Sequence, residues 1–300
     1  MDRRTFIETL TCGAATVLLP SFSVPRRGLC FGVVTDSHYA AKDVDGNRYY
    51  RQSIEKMRVA VDAFNRHGVD FVIELGDLKD MGSHEQSAEE QESEALHFLD
   101  DIEHELQRFH GPCYHVLGNH DMDCITKEQF LAHTRNAGKA RGKAHYSFKK
   151  RGVKFIVLDG NFNEDRTPYS RGNFEWWKAF ITQEQIDWLD SELSVDNIPA
   201  VVFCHQMLDS FSDAPRNVCI GNADEVVSVL ERHRNVLAVM QGHHHEGHRS
   251  ERAGIHYYTF KAMIEGSYPE HNSYAIVNID RQGNITIEGF ADEKGSSLER

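Results

Sequence analysis

Leu29-Cys30-Phe31-Gly32-Val33-Val34-Thr35-Asp36-Ser37-His38 begins as an apolar, β-branched run and ends in a carboxylate and an imidazole. The run has the length and residue types of a buried strand, and the same arrangement recurs four times downstream. Val69 to Leu75 leads into Gly76-Asp77-Leu78-Lys79-Asp80, and Cys113 to Leu117 leads into Gly118-Asn119-His120-Asp121. Ala200 to Cys204 ends in His205, and Val236 to Met240 ends in Gln241-Gly242-His243-His244-His245. In α/β sheets ligands bind beyond the carboxyl ends of the strands, so these five ends are expected to converge on one rim.

Between the strand signals lie segments with helical spacing. Arg51 to His67 carries Ile54, Met57, Val61 and Phe64 along one face, and Leu96, Leu99, Ile102 and Leu106 do the same in an acidic stretch before Gly111. Thr182-Gln183-Glu184-Gln185 has capping-box form ahead of Ile186, Leu189 and Leu193, while Asn222 is placed to cap a helix through Val226 and Leu230. Tyr146 to Phe148, Val153 to Leu158, Ile255 to Thr259, Tyr274 to Ile279 and Ile285 to Ile287 complete the strand signals. The first half alternates β and α and the last stretch is mostly β, which predicts an α/β (α+β) protein with one domain over residues 28–300.

Composition narrows the function. The 300 residues carry a net charge of −13, which argues against a nucleic-acid partner, and 40% hydrophobic residues with only 7 Pro exclude a disordered chain. The 18 histidines make a metalloprotein the first class to test, imidazole being the commonest protein ligand of transition metals. None of the six cysteines forms a CxxC pair, and Cys30, Cys113 and Cys204 sit in apolar runs as core thiols. At the N-terminus, Arg3-Arg4-Thr5-Phe6 before the short apolar run Leu10 to Leu19 resembles a twin-arginine export signal. Residues 1–27 are accordingly expected to direct export to the periplasm, with cleavage after Ser23; the apolar run is too short for a transmembrane span.

The residues at the strand ends mix carboxylate, imidazole and amide oxygen without thiolate, a donor set suited to Mn²⁺, Fe²⁺ or Zn²⁺. Two cations about 3.5–4 Å apart need a shared anion, and Asp77 is the candidate bridge. Gly76, Gly118 and Gly242 suit sharp turns at the strand ends. Duller roles exist for single residues: His205 as a structural histidine, Asp80 and Asp121 as caps. Five metal-competent strand ends in one chain favour the metal.

The ordered set of blocks, D-x-H, GD-x-x-D, GNHD, a lone H and GH-x-H, resembles the calcineurin-like metallophosphoesterase superfamily. The resemblance implies a four-layer αββα sandwich with two divalent metal ions at one edge. It places one ion on Asp36, His38, Asp77 and His245 and the other on Asp77, Asn119, His205 and His243. It makes His120 the catalytic residue beside the scissile phosphate, with Asp121 orienting its ring, and implies in-line attack on phosphorus by a metal-bridged hydroxide. Matches at Arg48-Tyr49-Tyr50-Arg51-Gln52-Ser53, Thr182 to Leu189, Asn217-Val218-Cys219-Ile220 and Gly254 to Glu265 are similar to the manganese-dependent ADP-ribose/CDP-alcohol diphosphatases, although that group tends to carry Gln at the position of His38. The expected substrate is therefore a small phosphorylated molecule, a nucleotide-diphosphate-linked compound such as ADP-ribose or a CDP-alcohol. A broad phosphomonoesterase or phosphodiesterase on the same centre, and a non-catalytic scaffold of the same fold, are the alternatives.

Specificity is expected in the loops Asn161 to Phe180 and Gln206 to Gly221. Tyr49, Phe162 and Trp176 are candidate contacts for a base or ribose and Arg216 for a phosphate; Arg166 and Arg171 are further candidates.

Overall fold

The computed structural model describes residues 28–83 and 85–299; the expected export signal lies outside them. Two six-stranded mixed sheets pack face to face. The first joins β1 (Leu29–Val34), β2 (Val72–Glu74), β3 (Cys113–His115), β10 (Tyr274–Ile279), β11 (Ile285–Phe290) and β12 (Ser296–Leu298) in the order β12-β11-β10-β1-β2-β3. The second joins β4 (Tyr146–Lys150), β5 (Val153–Val157), β6 (Ala200–Phe203), β7 (Val236–Gln241), β8 (His248–Arg252) and β9 (Ile255–Thr259) in the order β4-β5-β6-β7-β9-β8. β1, β2 and β3 run parallel, as do β5, β6, β7 and β9.

The helices α1 (Ser53–His67), α2 (Ala88–Leu106), α3 (Lys127–His133), α4 (Gln183–Ser194) and α5 (Ala223–Arg232) form the outer layers. Alternation along the strands divides the core accordingly. Phe31 and Val33 of β1 meet Phe155, Val201 and Phe203 between the sheets, whereas Cys30 and Val34 face Met57, Val61 and Phe64 of α1. Phe31 stacks on Phe71 at 4.8 Å and meets Phe155 edge-on at 5.5 Å, which welds the sheets face to face. On the far side, Val202 and Val239 share a core with Ile186, Leu189, Val226 and Leu230 of α4 and α5. Strands covered on both faces read as continuous apolar runs rather than as alternations. The result is the expected αββα sandwich. No helix among the described residues is long and apolar enough to cross a membrane.

Some local expectations need correction. Thr182 caps α4 through the Gln185 amide, but the Gln185 side chain turns away to Asp159 instead of closing a capping box. Asn222 does not cap α5; its side chain bridges the backbone of Ile181. Polar β8 and short α3 carry too little apolar pattern to announce themselves.

Candidate metal centre

All five strand ends meet at one edge of the sandwich, and both sheets contribute. Asp36 and His38 follow β1, Asp77 follows β2, and Asn119 and His120 follow β3. His205 follows β6, and His243 and His245 follow β7. The turns that present them are unusual: Asp36, His38, Asp77 and His243 have φ values of 51°, 44°, 56° and 67°. Left-handed backbone at a non-glycine residue costs on the order of 1–3 kcal/mol and persists where surrounding structure enforces it. Gly76 shares this conformation (φ 103°), and a Cβ there would lie 2.6 Å from His205 Nδ1. Gly118 is needed for space rather than for φ, since its Cβ would fall 2.1 Å from the Asp77 amide nitrogen.

Among the described residues three groups of side chains are close enough for each to grip a cation: Asp36 with His38 and His245, Asp77 with His205 and His243, and His38 with Asp80 and His120. His245 Nε2 lies 3.2 Å from His38 Nε2 and 3.5 Å from Asp36 Oδ1. Asp77 Oδ2 stands between the first two groups, 3.6 Å from His38 Nε2 and 3.1 Å from His205 Nε2. Asp77 Oδ2, Asn119 Oδ1, His205 Nε2 and His243 Nε2 are all buried and make no hydrogen bond. Four buried ligand-type atoms without a hydrogen bond are a costly arrangement unless a ligand meets them, and those of Asp77, His205 and His243 lie close enough together to share one. Elsewhere the same side chains are anchored: His205 Nδ1 donates to the Leu75 carbonyl at 2.8 Å, and Asp77 Oδ1 accepts the His120 amide at 2.8 Å.

The electrostatics of the centre is that of buried carboxylates set among imidazoles: although burial opposes its charge, Asp77 and Asp36 push the His205 ring up to about 9. Burial opposes ionisation of Asp36, yet the surrounding His205, His245 and His38 rings hold its carboxyl well below the usual range. Burial, reinforced by His205, pushes His243 down to about 3 and keeps its ring neutral, the form that donates to a metal. Burial also opposes charge on His120, but Asp123, Asp77 and Asp80 outweigh it and push that ring up to about 10.

The partner of the His120 ring is Asp123, not Asp121. His120 Nδ1 donates to Asp123 Oδ2 at 2.7 Å because the 3₁₀ turn His120–Met122 places these residues side by side. The Asp121 carboxylate instead accepts the amides of Gly118 (2.8 Å), Leu78 (3.0 Å), Asp77 (3.1 Å) and Lys79 (3.4 Å). It clamps two of the site's loops together. Asp80 braces His38 through Nδ1 at 3.2 Å and is itself held by Lys42 at 3.2 Å.

A cleft of about 860 Å³ opens over the centre, lined among others by Asn47, Arg48, Trp176, Val218, Lys261 and Glu265. The Trp176 ring lies 5.8 Å from that of His243 and is 38% exposed, free to meet a ligand. The other proposed contacts do not line this cleft. Tyr49 is tied by its amide to the Ile264 carbonyl, and its neighbour Arg48 takes the cleft position. The Phe162 ring lies under the Lys127 ammonium at 4.0 Å, and Arg216 is exposed on a turn of which only Val218 reaches the cleft. Arg171 pairs with Glu92 at 2.8 Å. Asp123 and Glu265 are the site residues that the strand-end pattern does not reveal.

Comparison with known proteins bears on this centre. The calcineurin-like phosphoesterase model matches residues 31–247. The manganese-dependent ADP-ribose/CDP-alcohol diphosphatase of Arabidopsis thaliana is 26% identical over 309 aligned positions, covering 86% of this chain and 96% of the relative. A 3',5'-cyclic-nucleotide phosphodiesterase of Nostoc sp. is 26% identical over 229 positions, 76% of this chain and 74% of that one. A dimetal phosphatase from Danio rerio has the same fold, with a TM-score of 0.78 at 21% identity over 91% of this chain and 99% of its own.

Proposed function

Since the chain belongs to the calcineurin-like phosphoesterase family, and so is a divalent-metal-dependent hydrolase of phosphoric esters or anhydrides, we propose that it uses two cations to cleave nucleotide-linked diphosphates. The observation that carries the two-cation reading is the pair of ligand groups, Asp36 with His38 and His245 and Asp77 with His205 and His243, with Asp77 Oδ2 3.6 Å from His38 Nε2 and 3.1 Å from His205 Nε2. Asp36, His38, Asp77 and His245 would hold one cation, and Asp77, Asn119, His205 and His243 the other. When bound, the ions supply Lewis acidity that neutralises phosphoryl oxygens and acidifies water for in-line displacement.

The chain's own residues supply the rest. His120 lines the cleft and is fixed through Nδ1 by Asp123, which leaves its other ring nitrogen to give a proton to the leaving oxygen. Arg48 and Lys261 bring cationic groups to the wall of the cleft, where a second phosphate of an anhydride would lie. Trp176 offers a face on which a nucleobase can stack. Both features suit a substrate with a base at one end and a diphosphate in the middle, the class named for the Arabidopsis relative.

The test is side-by-side turnover, with Mn²⁺, of ADP-ribose, CDP-choline, and nitrophenyl mono- and bis-phosphate. Preference for the two anhydrides is expected; turnover of simple esters alone would exclude the diphosphatase reading. The Nostoc relative favours a second reading, phosphodiester hydrolysis on the same centre, for which a cyclic nucleotide belongs in the panel. Residues 1–27 are proposed to export the folded chain to the periplasm, and N-terminal sequencing of the protein from its native host would reject this if Met1 were intact.

A further inference from the structure

The two proposed cation positions are backed differently. On the Asp77 side, the outward nitrogen of His205 meets a neutral backbone carbonyl, that of Leu75 at 2.8 Å. On the Asp36 side, the outward nitrogen of His245 meets a carboxylate: Nδ1 lies 2.7 Å from Glu265 Oε1. A carboxylate behind an imidazole fixes its tautomer and rotation and raises the basicity of the far nitrogen. Here that far nitrogen, Nε2, points at Asp36 and His38.

Glu265 is itself held from several directions. Its other oxygen accepts from Asn47 Nδ2 at 2.9 Å, and Arg48 Nε stands 3.8 Å from Oε1. The segment that carries it is bonded to the very loops it serves: the amides of Ala262 and Ile264 donate to the carbonyls of His245 (3.1 Å) and Asp36 (3.0 Å). Beneath it, the Lys56 ammonium reaches the carbonyls of Met263, Ile264, Glu265 and Gly266 at 2.7–3.2 Å. Glu265 thus sits on a platform whose position is set before any ligand arrives.

We propose that Glu265 is a positioning residue that tunes one of the two cations, the one taken by Asp36, His38 and His245, and leaves the other untouched. The proposal rests on the two-cation reading above. It makes the two positions chemically unequal, with the Glu265-backed position the tighter.

Titration of Mn²⁺ into the metal-free full chain, followed by calorimetry and by the electron paramagnetic resonance of free Mn²⁺, tests this without reference to turnover. Wild-type protein is expected to bind two ions. Glu265→Gln is expected to weaken one of them by about 10–100-fold, with the other within about twofold and the melting temperature of the metal-free protein unchanged. Should that variant fail to fold, Asn47→Ala frees one oxygen of Glu265 and is expected to weaken the same ion by a few-fold. Two ions bound by wild type, with unchanged isotherms or equal weakening of both in the variant, would overturn the role of Glu265 alone. A wild-type protein that binds no Mn²⁺ would overturn the two-cation reading and this proposal together.

Discussion

Asp121 and Asp123 stand two residues apart in one turn, and the structure gives them opposite jobs. Asp121 accepts four backbone amides, so Asp121→Asn would place an NH₂ group among donors and is expected to cost about 3 kcal/mol of stability, read by urea denaturation. Asp123→Asn should leave stability nearly unchanged while lowering kcat roughly 10²-fold, the scale of losing a well-placed general acid. A large stability loss in the second variant with normal kcat would sink this division. At this scale the sequence was informative wherever a side chain directly follows a strand, because strand ends have a fixed place in space. Asp36, Asp77, Asn119 and His205 are such residues. It was silent on Asp123, whose role depends on the hand of a 3₁₀ turn, and on Glu265, which returns to the site on an irregular segment after β9. Tyr49, Phe162 and Arg216 lie on loops and do not line the cleft, and a loop has no period from which a side chain's direction can be read.

Among elements, α1 matters to the site although it contributes no ligand. Its Lys56 is fully buried and reaches four carbonyls of the segment that carries Glu265. Lys56→Met would keep the apolar stem and remove the donor, leaving those carbonyls underbonded. The expected cost is about 3 kcal/mol, measured by urea denaturation, and a change below about 1 kcal/mol would show that water replaces the ammonium freely. The strands that form the double-sided core were legible because burial on both faces leaves continuous apolar runs. β8 was not, since an edge strand reading His-Arg-Ser-Glu-Arg looks like a loop. α3 is so short that its capping box, Thr126 with Gln129, is its chief signature. Asn222 shows the converse failure, a good capping residue drawn off by a tertiary partner.

For the whole molecule, a net charge of −13 repels phosphate at long range, so attraction for a phosphorylated substrate is expected to come from the metal ions and from the proposed contacts Arg48 and Lys261 at the cleft. The larger point is that each proposed ligand set takes residues from both sheets. Asp36, His38 and Asp77 belong to the first sheet and His245 to the second, just as Asp77 and Asn119 are matched by His205 and His243.

That division has a consequence in time. Neither proposed ligand set is complete on one sheet, and the groups that must meet lie far apart along the chain, so their approach comes after the local structure has formed. Interactions absent from the folding transition state act on the unfolding rate. Saturating Mn²⁺, at about 100 times its dissociation constant, is worth about 2.7 kcal/mol per site. Nearly all of it should appear as unfolding slowed about 100-fold per site, with the refolding rate unchanged, in denaturant-jump kinetics with and without the ion. If refolding accelerated instead, the sheets would already be docked at the barrier. Otherwise the cation is a lock that closes only on a finished fold, and its loss sets how long the protein survives rather than how quickly it forms.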